Sequence, residues 1–311
     1  MTPPDLGWWP EAVRAVLSDR VGRVRRVEDL AGGQTGARVA AIVGERGAAV
    51  LKVPAPLREI QLYATGAESL RCWGVSIPAC YAHGGADGGR WVMLEYVRSP
   101  WPWTGHDLGG EPVAALARLH QGGWGRPALT PDPYVPAWPR SLSVAAAELW
   151  PEVKRPSVRQ RMEAVRSGMA ALFTPLTVLS GDPNPTNWRR RHNGVPVLLD
   201  WERAGVGHPA VDLAISLPGL PPDDSPYRVL AARYRAAWVF GGTWDIAALT
   251  RDIRAAKLFV AVEYLGMVGA GRVTVTADKV EALRGRVEAL LDQAAHHPLG
   301  SWPDAWRPAD R

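Results

Sequence analysis

The spacing of apolar residues changes repeatedly along the first part of the chain, and each change marks an element. In WWPEAVRAVLS (8–18) apolar positions recur at helical spacing, with Pro10 tolerable in a first turn, so a short helix is predicted. VGRVRRVEDLAGG and ARVAAIVGERGAAVLKVP read as strands separated by Gly-containing turns, with Glu45-Arg46-Gly47 forming a hairpin connection. Helical periodicity returns in LREIQLYATGAESLRCWG. Two further strands follow, IPACYAHGG and WVMLEYV, joined by the turn AHGGADGG. The predicted order over residues 1–97 is βββαββ, an antiparallel sheet with one main helix.

From 98 the text becomes RSPWPWTGHDLGG, rich in Pro, Gly and Trp, which reads as a connection between two lobes. Residues 1–97 therefore form one predicted lobe and 98–311 a second. In the second, EPVAALARLHQ predicts a helix, 122–140 a Pro-rich loop, and 143–173 mostly helix despite Pro151 and Pro156. LTVLSGD and VPVLLDWE read as two β segments bracketing a loop. VDLAISL, YRVLAARYRAAWVF, IAALTRDIRAAKLFVAVEYLGMV and ADKVEALRGRVEALLDQAAHH read as helices. The fold class expected is α+β.

Composition changes this picture little. With 311 residues, 47% apolar and 22% charged, the chain is long enough for two packed lobes, and neither disorder nor a fibrous architecture fits. Two cysteines, Cys72 and Cys80, make no disulfide framework and no metal-binding spacing. The N-terminus lacks a basic region followed by an apolar one, and AAKLFVAVEYLGMVGA is interrupted by Lys257 and Glu263. The expectation is a cytoplasmic protein, monomer or homodimer, without membrane partners. A net charge of +5 permits nucleic-acid binding, yet the one dense basic run, Arg189-Arg190-Arg191, is flanked by turn residues and reads as a solvated hairpin. No nucleic-acid partner is expected. Tryptophan is over-represented, 15 against 3 Phe. Trp8, Trp73, Trp91, Trp150 and Trp238 fall in apolar periodic segments and read as core. Trp101, Trp103, Trp124 and Trp138 fall in connecting loops, where they either stack a substrate ring or plug the lobe interface.

The candidate chemistry lies in SGDPNPTNW and LLDWE. A loop bracketed by two strands places Asp182, Asn187 and Asp200 at one cleft, three oxygen donors of the kind phosphoryl transfer needs. Mg²⁺ takes oxygen ligands, with one or two carboxylates plus phosphates and waters. A hydroxyl under phosphorylation needs a carboxylate aimed at its proton. Asp182 is the candidate base; Asn187 and Asp200 are the candidate metal ligands.

SGDPNPTNW followed by LLDWERAGVGHPAVDLA resembles the aminoglycoside phosphotransferase-like family of the protein-kinase-like fold, small-molecule kinases with HGDxxxxN and a strand ending in IDWE or IDF. The resemblance extends over nearly the whole chain. It implies a bilobal fold with an antiparallel sheet lobe and a mostly helical lobe carrying the catalytic loop and the acceptor site. It also implies that Lys52, in AVLKV, contacts the α/β-phosphates of ATP or GTP and pairs with Glu59 in LREIQL, with Glu68 as the partner if the helix register shifts. Gly32, Gly33, Thr35 and Gly36 then form the turn whose backbone approaches phosphate oxygens. Glu95 and Val97 fall at the hinge that bonds the base through main-chain atoms, their side chains being incidental. Asp212 braces the catalytic loop, His120 packs at the end of a buried helix, and His192 and His208 are turn residues.

The implied activity is transfer of the γ-phosphoryl group of ATP, or GTP, with Mg²⁺, to a hydroxyl of a small acceptor such as an antibiotic, sugar, nucleoside or amino alcohol. The departure is Ser180, where the family usually has histidine; it leaves a degenerate nucleotide-binding pseudokinase or scaffold as the alternative. Residues 202–311 carry 13 acidic and 13 basic side chains, an even balance that disfavours a polycationic acceptor. Asp223 and Asp224 remain as local candidates to bind an amine.

Overall fold

The computed structural model describes residues 9, 11–30, 36–85, 89–239 and 245–296; side chains are described up to residue 294. Helix α1 (Glu11–Arg20) leads into strands β1 (Val24–Leu30), β2 (Arg38–Gly44) and β3 (Ala48–Val53). Helix α2 (Leu57–Gln61) runs through a π-turn (Leu62–Gly66) into α3 (Ala67–Cys72), and strands β4 (Cys80–Gly84) and β5 (Trp91–Glu95) complete an antiparallel sheet of order β1-β2-β3-β5-β4. The predicted βββαββ order is therefore what forms, preceded by a helix. Period-2 alternation explains how one strand serves two layers. Trp91 and Met93 of β5 join Val13 and Leu17 of α1 in one core, while Val92 and Leu94 join Ile60, Leu62 and Leu70 in the other.

The second lobe begins with a two-residue strand, β6 (Ser99–Pro100), and helix α4 (Gly110–Gly123). Two helices follow, α5 (Arg140–Ala147) and α6 (Arg155–Ser167). They are interrupted near Pro151, whereas Pro156 sits in the first turn of α6, where its missing N–H costs nothing. Short strands β7 (Thr177–Leu179), β8 (Trp188–Arg190), β9 (Pro196–Leu198) and β10 (Gly205–Gly207) come next, then helices α7 (Pro209–Ser216), α8 (Ser225–Ala237), α9 (Ile246–Gly269) and α10 (Ala277–His296). The two expected β segments do not pair with each other. β7 pairs with β10, and β9 pairs with β8, which also pairs with β6. Both expected segments do form strands, β7 and β9, whereas the partners β8 and β10 carry too little periodicity to be read from sequence.

The tryptophans divide differently from the expectation. Trp91 and Trp150 are buried, and Trp73 and Trp238 are half-buried against the same core. Trp8 lies outside the described residues. Of the loop tryptophans, Trp138 is a core residue whose Nε1 donates to Ser143 Oγ at 2.9 Å, and Trp124 packs edge-on to Trp238. Trp101 is half-buried and donates to the Leu108 carbonyl, leaving Trp103 exposed. Among the described residues no helix is long and apolar enough to cross a membrane.

Helix α9 runs through the core of this lobe and carries a buried lysine. Lys257 Nζ donates to the carbonyls of Ala214 (2.7 Å) and Leu217, capping the C-terminus of α7. Burial pushes its pKa down to about 7. The folded protein thus binds fewer protons here than the unfolded chain between about pH 7 and the ordinary lysine range, so this group's contribution to stability rises with pH through that window and is lost as pH falls through 7. The Tm of the wild type is expected to gain on that of Lys257→Met between pH 7 and 10; parallel Tm profiles in differential scanning calorimetry would refute the assignment.

Candidate active site

Strand β3 presents Lys52, which is buried and faces three carboxylates. Its Nζ lies 2.9 Å from Glu59 Oε2, 3.1 Å from Asp200 Oδ1 and 2.9 Å from Glu202 Oε2. These carboxylates hold the ammonium firmly protonated despite its desolvation. Glu59, buried on α2, is pushed up to about 7 by burial, opposed by Lys52. Glu68 is exposed, so the helix register gives the lysine to Glu59. Arg58 ties the same helix to the other lobe: its guanidinium donates to the carbonyls of Asp132 and Glu202.

The catalytic-loop candidates hang from a buried aspartate. Asp212 of α7 accepts from Ser180 N (2.8 Å), Ser180 Oγ (3.0 Å) and Gly181 N (3.0 Å), and lies 3.2 Å from His120 Nε2. His120 Nδ1 in turn meets Tyr234 Oη at 2.9 Å. Asp212 thus braces the loop as the resemblance implied. Ser180 supplies a hydroxyl to this brace, so the position that departs from the family pattern is bonded within the buried network. Ser180→Ala is expected to cost about 1.5–3 kcal/mol of stability, the range for a hydrogen bond to a charged group; an unchanged urea midpoint would contradict this. His208 lies in the turn before α7 and is buried there, where its Nδ1 accepts from Ala210 N and caps the helix. His192 is exposed in the β8–β9 turn.

Gly181 makes the loop's sharp bend, at φ +80°, and a Cβ there would stand 1.9 Å from the Arg203 carbonyl oxygen. This close approach sets Asp182 beside the segment 200–203. Asp182 and Asn187 are locked together, since Asn187 Nδ2 donates to both the main-chain oxygen and Oδ2 of Asp182 at 3.0 Å. Burial and the nearby Asp200 charge push the Asp182 carboxyl up to about 6, against the pull of Arg203. Asp200 itself adopts φ +55°, a conformation that Asp and Asn tolerate better than most residues.

The donor set suits a hard divalent cation. Asp200, Glu202 and Glu59 offer carboxylate oxygens within 4.8 Å of one another around a single ammonium, an excess of negative charge. With its NH₂ turned to Asp182, Asn187 has its amide oxygen left for a cation. Gly33 and Thr35, with Gly32, lie outside the described residues; Gly36 is described, at φ +72°. Val97 is buried, and the N–H of Glu95 is committed to the Ala79 carbonyl at 2.8 Å. The Glu95 carboxylate is gripped by Arg191, so that arginine is half-buried rather than solvated as its place in a hairpin predicts.

The sequence profile of the phosphotransferase enzyme family matches residues 26–248, from β1 to the start of α9. The chain belongs to that family. Its protein-kinase-like fold is shared with the microcompartment-associated aminopropanol kinase (TM-score 0.66, 12% identity, 93% of this chain and 99% of that one). It is shared too with the choline kinase LicA of Streptococcus pneumoniae (0.61, 16% identity, 91% and 98%). A spectinomycin phosphotransferase solved with ADP and spectinomycin aligns at 0.57, with 11% identity over 91% and 98%. No curated protein matched the chain by sequence.

Several residues at the site escaped the sequence reading. Glu202 stands two positions after Asp200, and that spacing was the available signal. Arg203 stacks on the Tyr134 ring at 4.3 Å and pairs with Glu263 at 2.7 Å, while Tyr134 Oη donates to Glu263 at 3.0 Å. These partners come from a loop and from α9, so nothing local announces them. Asp223 and Asp224 are already engaged, the first accepting from Ser225 N at the start of α8 and the second paired with Arg254.

Proposed function

We propose that this family member transfers the γ-phosphoryl group of ATP or GTP to a hydroxyl of a small, neutral or weakly charged acceptor. The observation that carries this reading is that two bonded sets, Lys52 with Glu59 and Asp200 and Asn187 with Asp182, at 2.9 to 3.1 Å, lie close enough together for the Asp200 charge to act on Asp182. Support for the nucleotide comes from the fold relative solved with ADP, and for a small acceptor from the names of all three relatives.

On this reading Lys52, held by Glu59, orients the α- and β-phosphates. Asp182 accepts the proton of the acceptor hydroxyl as that oxygen attacks the γ-phosphorus and the bond to the β-phosphate oxygen breaks. Asn187 and Asp200 would hold Mg²⁺, which when bound supplies neutralisation of phosphate charge. A loose transition state needs chiefly positioning and charge stabilisation, which the Asp212 brace and the Asn187–Asp182 lock provide.

The test is the thermal shift of the purified protein with ATP and GTP, each with and without Mg²⁺, followed by phosphate-transfer assays on hydroxylated acceptors with the preferred nucleotide. A Mg²⁺-dependent rise in Tm is expected, because a ligand of the native state stabilises it by mass action. No shift at millimolar nucleotide would overturn the reading. A shift without turnover on any acceptor class would favour the pseudokinase alternative.

A further inference from the structure

The peptide that joins the lobes is clasped at both ends by one hairpin. At its start, Glu95 closes β5; at its end, Ser99 and Pro100 pair with Arg190 and Arg189 of β8. Arg191, the next residue after β8, reaches back to the start and grips the Glu95 carboxylate with both terminal nitrogens, Nη2 to Oε2 at 2.8 Å and Nη1 to Oε1. The same Nη2 donates to the Ile77 carbonyl at 3.2 Å, and Glu95 Oε2 also accepts from Ala79 N at 3.1 Å. β9 adds a further tie, Leu198 N to the Ser76 carbonyl at 3.1 Å. Both side chains are largely removed from solvent, with 28% and 22% of their area exposed, and a forked guanidinium–carboxylate pair fixes orientation as well as distance.

The position of this clasp gives it consequence. Glu95 and Val97 flank the backbone expected to receive the nucleotide base, and Asn187 immediately precedes β8. The hairpin therefore spans from the base side of the cleft to the metal side. We propose that Arg191 and Glu95 form a strut across the lobe connection, and that Arg191 is a positioning residue for the nucleotide: it holds the hinge backbone at the separation from the catalytic loop that lets base and phosphates bind together. This rests on the nucleotide-dependent reading above. Asp182 is bonded to Asn187 beside β8, but its loop is also held from the far side, where Asp212 takes the Ser180 and Gly181 amides, so loss of the strut is expected to act on nucleotide binding far more than on the chemical step.

The experiment measures nucleotide Kd by titration calorimetry, and KM for each substrate with kcat at saturating nucleotide, in wild type, Arg191→Met, Arg191→Lys, Glu95→Gln and the double variant Arg191→Met/Glu95→Gln. Arg191→Met is expected to raise nucleotide Kd and KM by about 10-fold, within the range of coupled neighbours, with acceptor KM and saturated kcat little moved. Arg191→Lys, which keeps the charge but not the fork, should recover part of the loss. The double variant should be no weaker than Arg191→Met alone, because the two side chains act as one unit. Unchanged nucleotide Kd in Arg191→Met overturns the proposal, as do a matched loss in kcat and both KM values or effects that multiply in the double variant. If Arg191→Met fails to fold, Arg191→Lys and Glu95→Gln carry the same comparison. Wild type that binds no nucleotide overturns the functional reading itself, whereas wild type and variants that bind equally overturn only the strut.

Discussion

Asp182→Asn is expected to lower kcat by roughly 10²–10⁴-fold, the usual contribution of a general base, while nucleotide affinity stays close to that of the wild type. The substitution preserves shape, and an asparagine carbonyl at 182 can still accept the hydrogen bond that Asn187 Nδ2 gives to Asp182 Oδ2. What disappears is the ability to take a proton. The carboxyl is suited to that task because burial and Asp200 raise it to about 6, which makes it a stronger base than an ordinary carboxylate. Steady-state kinetics with the preferred acceptor, alongside calorimetric nucleotide binding, separate the two effects. A full rate in Asp182→Asn would remove Asp182 from the chemical step.

Replacement of Asp200 is the second large effect. Asp200→Ala is expected to abolish measurable turnover and the Mg²⁺-dependent part of the nucleotide-induced Tm shift, since Asp200 is the carboxylate proposed to hold the metal with Asn187 and also reaches Lys52. Alanine at φ +55° adds a strain that aspartate tolerates, so Asp200→Asn is the cleaner probe: it keeps the side-chain shape and the left-handed preference and removes only the charge. Both variants should lose the Mg²⁺-dependent shift. If Asp200→Asn kept it undiminished, the metal assignment would have to move to Glu59 and Glu202, the other carboxylates in reach.

The departure at Ser180 shows what tertiary context adds to a sequence expectation. Read along the chain, a serine in place of histidine puts activity in doubt but leaves its hydroxyl able to replace part of the histidine's hydrogen bonding. In the fold its hydroxyl meets the same aspartate that takes the Ser180 and Gly181 amides, and His120, from α4, meets the same carboxylate oxygen as Ser180. A buried carboxylate must be satisfied by whatever donors surround it, and here they come from β7's end, the catalytic loop and a helix far upstream. Arg191 teaches the opposite lesson. Its neighbours in sequence are turn residues and charges, a pattern that points to solvent, yet its long side chain folds back along the hairpin to Glu95.

The sequence by itself determined the elements and the order of the chemistry. Helical and alternating apolar periods marked βββαββ and the later helices, and the succession Lys52, Glu59, Asp182, Asn187, Asp200 needed no coordinates to be seen. These are local or one-dimensional properties: periodicity follows from backbone geometry, and spacing survives unfolding. Only the tertiary structure decided that Glu202 shares Lys52 with Glu59, that Arg203 belongs to Tyr134 and Glu263, that Glu95 is gripped by Arg191, and that β7 and β9 pair with β10 and β8 and not with each other. The side-chain pairings join residues 60 to 150 positions apart. The partner of a charged side chain at such a distance is set by packing, desolvation and the need to satisfy every buried polar atom at once, and no window of sequence contains that information.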